Sequence, residues 1–264
     1  MTEIRGSRIL LTGASGGIGQ AIARALAERG ATLILTGRRA EVLEPLAQEL
    51  GGRALAVDLA DRDAPEQLAR DAGDVDVLVN NAALPASGTL DDYTLDQVDR
   101  ALDVNLRAPI ALAKLFAEPM KRRRRGHLVF ISSLSGKSAQ PGGSLYSATK
   151  FGMRGFALGL REDLRDSGVG VSTVFPGFIR DAGMFAEAGV ELPKGVATRS
   201  PQDVAAGVVR AIEQNRSEVA VAPLSLRAGA AIAGLAPELA GNVSRRLGNA
   251  KISAQLAAGQ RDKR

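Results

Sequence analysis

The sequence predicts an α/β protein: one doubly wound parallel sheet of about seven strands, helices on both faces, and a short helical extension at the C-terminal end. Three observations carry that expectation. Short runs rich in Leu, Ile and Val alternate with longer segments of helical period. A glycine-rich turn stands between the first such run and the first helix. No linker or repeat interrupts residues 1–223, which read as one domain, with residues 224–264 as a basic extension.

The strands are expected to begin at Arg8, Thr32, Arg53, Val75, His127, Gly170 and Glu218. After the first, Ile18, Ile22, Ala25 and Leu26 fall on one face of a helix that Gly30 stops. A long helical stretch over residues 95–125 joins the fourth and fifth strands. Its basic end, residues 121–125, complements the helix dipole and is expected to stay solvated. Another helix, over residues 144–167, precedes the sixth strand. In the extension, Leu239, Val243 and Leu247 recur at four-residue spacing after Pro237, with Arg245 and Arg246 between them. That amphipathic pattern fits packing on a neighbouring subunit, the preferred reading, or lying peripherally on anionic lipid.

Composition narrows the chemistry. The 264 residues are 45% hydrophobic and 24% charged, which excludes a disordered or fibrous chain. Cysteine is absent, so there is no disulfide framework, thiolate metal site or cysteine nucleophile, and a cytoplasmic setting is expected. His127 is the only histidine, which rules out a multi-histidine metal centre; no metal site is expected. Chemistry then rests on Tyr, Lys, Ser, Asn or carboxylates. Residues 1–223 hold 27 Lys+Arg against 27 Asp+Glu, and residues 224–264 hold 7 against 2. A neutral body with few aromatics and a short basic end argues against nucleic acid as partner. No apolar run approaches the ~18–20 residues that span a bilayer. The run at residues 9–11 leads straight into the glycine turn, unlike a signal peptide.

Two motifs carry chemistry. Thr12-Gly13-Ala14-Ser15-Gly16-Gly17-Ile18-Gly19 follows a strand and opens a helix. Glycines there let the backbone approach a pyrophosphate, whose charge meets the unpaired N–H groups of the helix start. Tyr146-Ser147-Ala148-Thr149-Lys150 sets a phenol and an ammonium four residues apart, one helical turn. A cation beside a phenol favours phenolate and lowers its pKa from about 10, which suits proton exchange with an alcohol.

Together these residues resemble the short-chain dehydrogenase/reductase family in its compact form, over residues 8 to about 223. The family's glycine motif falls on Gly13, Gly17 and Gly19, its adenine-side acid on Asp58, and its Asn-Asn-Ala segment on Asn80, Asn81 and Ala82. Its catalytic asparagine falls on Asn105, its serine on Ser133, and its Pro-Gly turn on Pro176-Gly177. The resemblance implies a Rossmann-type fold and hydride transfer between a nicotinamide and a carbonyl or secondary alcohol. It implies Tyr146 as general acid/base, Ser133 hydrogen-bonding the substrate oxygen, Lys150 lowering the Tyr146 pKa while holding the nicotinamide ribose, and Asn105 positioning a relay water. The cofactor is expected along Gly13, Ser15, Gly17, Ile18 and Gly19, then Asp58, Leu59 and Asn81, and finally Tyr146, Lys150, Pro176, Gly177 and Ile179. Family members pair through long helices, so a homodimer or homotetramer is implied.

Cofactor choice is read from Thr36-Gly37-Arg38-Arg39. Gly37 stands where NAD-dependent members carry an acid, and Arg38, aided by Arg39, offers a fork suited to a 2′-phosphate, so NADP(H) is favoured over NAD(H). Several alternatives stay open: Ser132 in place of Ser133, Asn105 as a partner for backbone groups at a helix irregularity, an NAD(H)-dependent enzyme, and a catalytically silent nucleotide sensor. Two positions depart from the family, Ala83 in place of glycine and Asp181 in place of threonine, where a carboxylate near the pyrophosphate needs Arg180 as partner. Leu84, Pro85, Leu134, Leu145, Phe178, Met184, Phe185 and Leu192 are expected to border the nicotinamide and make the substrate pocket apolar.

Overall fold

The order in which the chain lays down its strands decides where a ligand can bind. In the computed structural model, which describes residues 2–190, 196–238 and 249–261, the strands are β1 (Arg8–Thr12), β2 (Thr32–Gly37), β3 (Arg53–Ala56), β4 (Val77–Asn80), β5 (Gly126–Ile131), β6 (Val169–Pro176) and β7 (Glu218–Val221). They form one parallel sheet in the order β3-β2-β1-β4-β5-β6-β7. The chain winds outward from β1 to β3, then returns to set β4 on the other side of β1. At that reversal a crevice opens beyond the carboxyl ends of β1 and β4. Each strand begins within two residues of its expected start; Val77, Gly126 and Val169 replace Val75, His127 and Gly170.

The helices are α1 (Gly17–Ala27), α2 (Ala40–Glu49), α3 (Ala64–Ala72), α4 (Leu95–Leu102), α5 (Ala108–Arg123), α6 (Ser144–Asp163), α7 (Gly183–Glu187), α8 (Pro201–Glu213), α9 (Leu224–Leu235) and α10 (Asn249–Gln260). Alternation along the strands sends successive side chains to opposite faces. Ile9, Leu11, Val77, Val79 and Val129 pack with Ile22 and Leu26 of α1, Leu43 of α2 and Val208 of α8. Leu10, Leu78, Leu128 and Phe130 pack with Leu68 of α3, Leu112 and Phe116 of α5 and Met153 of α6. Truncating one of these fully buried leucines to alanine would cost about 2–5 kcal/mol.

The stretch over residues 95–125 is two helices rather than one. α4 starts at a capping box in which Thr94 and Gln97 each hold the other's backbone N–H. Residues Asp103–Arg107 then widen into a π-helical turn, closed by the Ala108 N–H donating to the Asp103 carbonyl, before α5 resumes. The basic run that ends α5 is also not simply solvated. Arg123 donates to the Asp74 carboxylate at 2.7 Å and the Val75 carbonyl at 2.8 Å, and Arg125 donates to Asp76 at 2.7 Å. Burial raises the Asp76 carboxyl, but the Arg8 N–H, Arg125 and Arg123 outweigh it and hold it below the ordinary carboxylate value. The run is therefore a clamp on the segment entering β4.

Leu192, Leu239, Val243, Arg245, Arg246 and Leu247 lie outside the described residues. Among the described residues no helix is long and apolar enough to cross a membrane.

Candidate active site

The glycine turn is shaped by close approach. Gly13 sits at φ +66°, and a Cβ there would stand 2.7 Å from the Ala82 Cα; a Cβ on Gly19 would stand 2.2 Å from the Gly13 carbonyl oxygen. Asn81 fastens the turn, its Nδ2 donating to the carbonyls of Thr12 and Gly13 at 3.0 and 3.1 Å. The Thr12 hydroxyl accepts the N–H groups of Asn81 and Ala82 in return, each at 3.0 Å. The start of α1 has neither a side-chain cap nor an acid in its first turn, which leaves its positive end for an anion.

Cations and a spare hydroxyl border that end. Arg39 donates to the Ser15 carbonyl at 2.6 Å, Arg38 is exposed at the rim, and the Thr36 hydroxyl is buried with no partner among the described residues. Asp58, farther along, pairs with Arg100 at 3.2 Å. No carboxylate stands at the end of β2, where Gly37 is followed by Arg38 and Arg39.

α6 brings the phenol and ammonium together, with Lys150 Nζ 5.5 Å from the centroid of the Tyr146 ring. Lys150 is 2% exposed and donates to the Ile131 carbonyl at 3.1 Å. Ser133 lies close enough to Tyr146 to pull its pKa down, and its Oγ accepts the Ser135 N–H at 3.1 Å. Ser132 is committed elsewhere, its hydroxyl donating to the Lys150 carbonyl at 3.1 Å, which leaves Ser133 as the serine beside the phenol. The expected depression of the Tyr146 pKa is not what this arrangement produces. Burial pushes the phenol up to about 12 against a smaller opposing pull from Ser133. Burial also pushes the Lys150 ammonium down to about 8.

Asn105 is not brought to the wall of the cleft. It is fully buried in the π-helical turn, and both ends of its amide bond the backbone of Leu84. Leu84, which it holds, and Val104, beside it in the chain, both line the cleft. Ala83 is not among the residues at positive φ, so no glycine is needed there. Asp181 is, at φ +68°, and its carboxylate pairs with the Arg180 guanidinium at 3.2 Å.

One cleft of about 1260 Å³ joins these parts. It is lined by Gly13, Ser15, Gly17, Ile18, Gly19, Arg38, Arg39, Asp58, Leu59, Asn81, Ser133, Tyr146, Lys150, Pro176, Gly177 and Ile179. The glycine turn and the Tyr146 cluster therefore share one space. Of the apolar residues expected at its substrate end, Leu84, Pro85, Leu134, Phe178, Met184 and Phe185 line it. Leu145 instead turns inward to pack with Ala86 and Ala101. Sequence reasoning missed the contribution of the extension: Leu226, Ala230 and Ala233 of α9, and Ser253, Leu256 and Gln260 of α10, also line the cleft. Their spacing of three and four residues was the available signal, but small residues gave it little contrast.

Comparison with known proteins agrees with this geometry. A family model described as short chain dehydrogenase matches residues 7–191. A ketoacyl reductase, HetN, of Nostoc sp. is 36% identical over 230 residues, covering 84% of this chain and 80% of its own. Nodulation protein G of Rhizobium sp. is 41% identical over 188 residues, covering 69% and 77%. Among solved structures, a short-chain dehydrogenase from Sphingobium yanoikuyae in complex with NADPH superposes with a TM-score of 0.76 at 28% identity, covering 88% of this chain and 96% of that one. A short-chain dehydrogenase from Streptomyces avermitilis gives 0.77 at 26% identity, covering 93% and 98%.

Proposed function

The chain belongs to the short-chain dehydrogenase family, an oxidoreductase acting on CH–OH or C=O groups, and from that premise we propose that it is an NADP(H)-preferring reductase of hydrophobic ketones. The observation that carries the reading is the single cleft in which Ser133, Tyr146 and Lys150 lie between a glycine turn and an apolar wall. When bound, the nicotinamide supplies the hydride. Tyr146 gives its hydroxyl proton to the carbonyl oxygen as charge develops there, and Ser133 hydrogen-bonds the same oxygen. A phenol pushed up to about 12 stays protonated at neutral pH and so carries the proton that ketone reduction uses. Lys150, pushed down to about 8, gives up a proton readily enough to restore the phenol.

Arg38 and Arg39 would hold the 2′-phosphate, and the α1 start the pyrophosphate. Phe151 and Leu158, each 40% exposed along α6, supply apolar surface for pairing two subunits, in line with a homo-oligomer. A panel of ketones and secondary alcohols, assayed with NADPH, NADH and their oxidised forms, tests the reading. NADPH-dependent reduction of apolar ketones is the expected result, and a panel with no turnover contradicts it.

A further inference from the structure

The outer wall of the cleft comes from the end of the same chain. α10 turns Ser253, Leu256 and Gln260 toward the cleft, and Ala254, Gln255 and Ala258 on its other side are exposed. The helix touches both rims. Near its start, Ser253 lies against Gly142 in the loop that leads to Tyr146, 3.3 Å from where a Cβ on that glycine would stand. At its end, Gln260 is 3% exposed and its Nε2 donates to the Met184 carbonyl of α7 at 3.0 Å. Gly259 packs so tightly there that a Cβ would stand 2.5 Å from the Ala188 carbonyl oxygen.

We propose that α10 is a substrate-selecting cap supplied by the chain itself. Ser253 and Leu256 set how large an apolar group a ketone can place opposite Tyr146, and Gln260 is a positioning residue that latches the cap to α7. The substrate class that follows is ketones, or the matching secondary alcohols, whose non-reacting side is apolar and compact. A glutamine amide is costly to bury unless it is bonded. Here the Nε2 donor is bonded to the Met184 carbonyl on the opposite rim while Oε1 is buried without a hydrogen-bond partner among the described residues, so the amide is held by its donor end, the end on which the latch depends. The residues that face the cleft beside it are small or apolar, which is what size selection requires.

The inference rests on the proposed ketone reductase activity, and its test separates the two. Full-length protein and the variants Leu256→Ala, Ser253→Phe and Gln260→Glu are assayed with NADPH on a graded series of straight-chain methyl ketones. Leu256→Ala is expected to raise the kcat/KM ratio of long over short ketones by about tenfold, and Ser253→Phe to lower it by a similar factor. Gln260→Glu keeps the size of the side chain but loses the donor; it should raise the ratio as Leu256→Ala does. It should also speed amide hydrogen exchange at residues 183–187 by about tenfold. Ratios within twofold of wild type in both Leu256→Ala and Ser253→Phe overturn the cap. Unchanged exchange in Gln260→Glu overturns the latch, and this holds even if wild type reduces none of the ketones, the outcome that counts against the reductase reading alone.

Discussion

Asn105 holds both backbone groups of Leu84, its Oδ1 accepting the Leu84 N–H at 2.6 Å and its Nδ2 donating to the Leu84 carbonyl at 2.9 Å. The π-helical turn at Asp103–Arg107 sets this side chain across the loop that follows β4. Replacing Asn105 with Leu would strand two buried peptide groups, each worth about 1–3 kcal/mol, so a loss of about 2–6 kcal/mol is expected. Asn105→Asp keeps the acceptor but turns a buried carboxylate oxygen toward the Leu84 carbonyl, so it should lose at least as much at neutral pH. Guanidinium denaturation measures both, and a change below about 0.5 kcal/mol for Asn105→Leu contradicts the clamp.

Tyr146→Phe removes only the hydroxyl proposed to transfer the proton. Turnover should fall roughly 100- to 10,000-fold while nicotinamide binding stays near normal. The two serines separate in the same assay. Ser133→Ala should lower kcat, whereas Ser132→Ala, which removes the donor to the Lys150 carbonyl, should act mainly on stability. A Tyr146→Phe enzyme with more than half of wild-type turnover would sink the assignment.

Burial of Lys150 predicts a pH dependence. With its pKa pushed down to about 8, the ammonium that steadies a forming phenolate is present below that pH and is lost as pH rises through it. Reductive kcat/KM should therefore fall above about pH 8. Lys150→Arg keeps its charge throughout, so its residual activity should lack that decline. A wild-type profile flat to pH 10 contradicts the proposal.

The strands were legible because each is an apolar run between punctuating glycines and polar residues, and a parallel sheet buried on both faces requires such runs. The Tyr146, Lys150 and Ser133 cluster was legible because one helical turn and one strand end fix its geometry. The π-helical turn was legible only as the alternative in which Asn105 serves backbone groups at a helix irregularity, since a single residue inserted into a helix barely changes the apolar period. The extension reads as helical, but the part α9 plays in the cleft was hidden for a different reason: Leu-Ser-Leu-Arg-Ala-Gly-Ala-Ala-Ile-Ala-Gly-Leu has little polar contrast around the helix, and only Ala230 is buried. The Tyr146 pKa is not legible from its sequence neighbours, because burial, which spacing does not reveal, acts on the phenol most strongly.

His127 should make the protein acid-labile. Burial first, then the Arg161 charge, pushes the ring down to about 3, and its Nε2 lies 2.8 Å from the Ser172 hydroxyl. The unfolded chain takes up a proton near pH 6.5 and the folded chain does not. The neutral ring's contribution is therefore complete above about 6.5 and lost as pH falls toward 3, by about 4–5 kcal/mol at the lower end. Unfolding free energy measured from pH 7 to 4 should fall more steeply for wild type than for His127→Gln. Equal slopes would contradict the shift.

Cofactor preference tests the end of β2. Gly37 places no carboxylate there, Arg38 is exposed at the cleft rim, and Arg39 is engaged with the Ser15 carbonyl. Arg38 is thus the cation with freedom to meet a 2′-phosphate, and Arg39 the one that braces the glycine turn beneath it. A charge-assisted hydrogen bond contributes about 1.5–3 kcal/mol, so Arg38 should favour NADP(H) over NAD(H) by roughly ten- to a hundredfold in kcat/KM. Arg38→Ala should remove most of that ratio by weakening NADP(H) alone. Arg39→Ala should instead weaken both cofactors, because it loosens the turn proposed to hold the pyrophosphate. Equal use of the two cofactors by wild type, or an unchanged ratio in Arg38→Ala, would show that phosphate is read elsewhere or not at all.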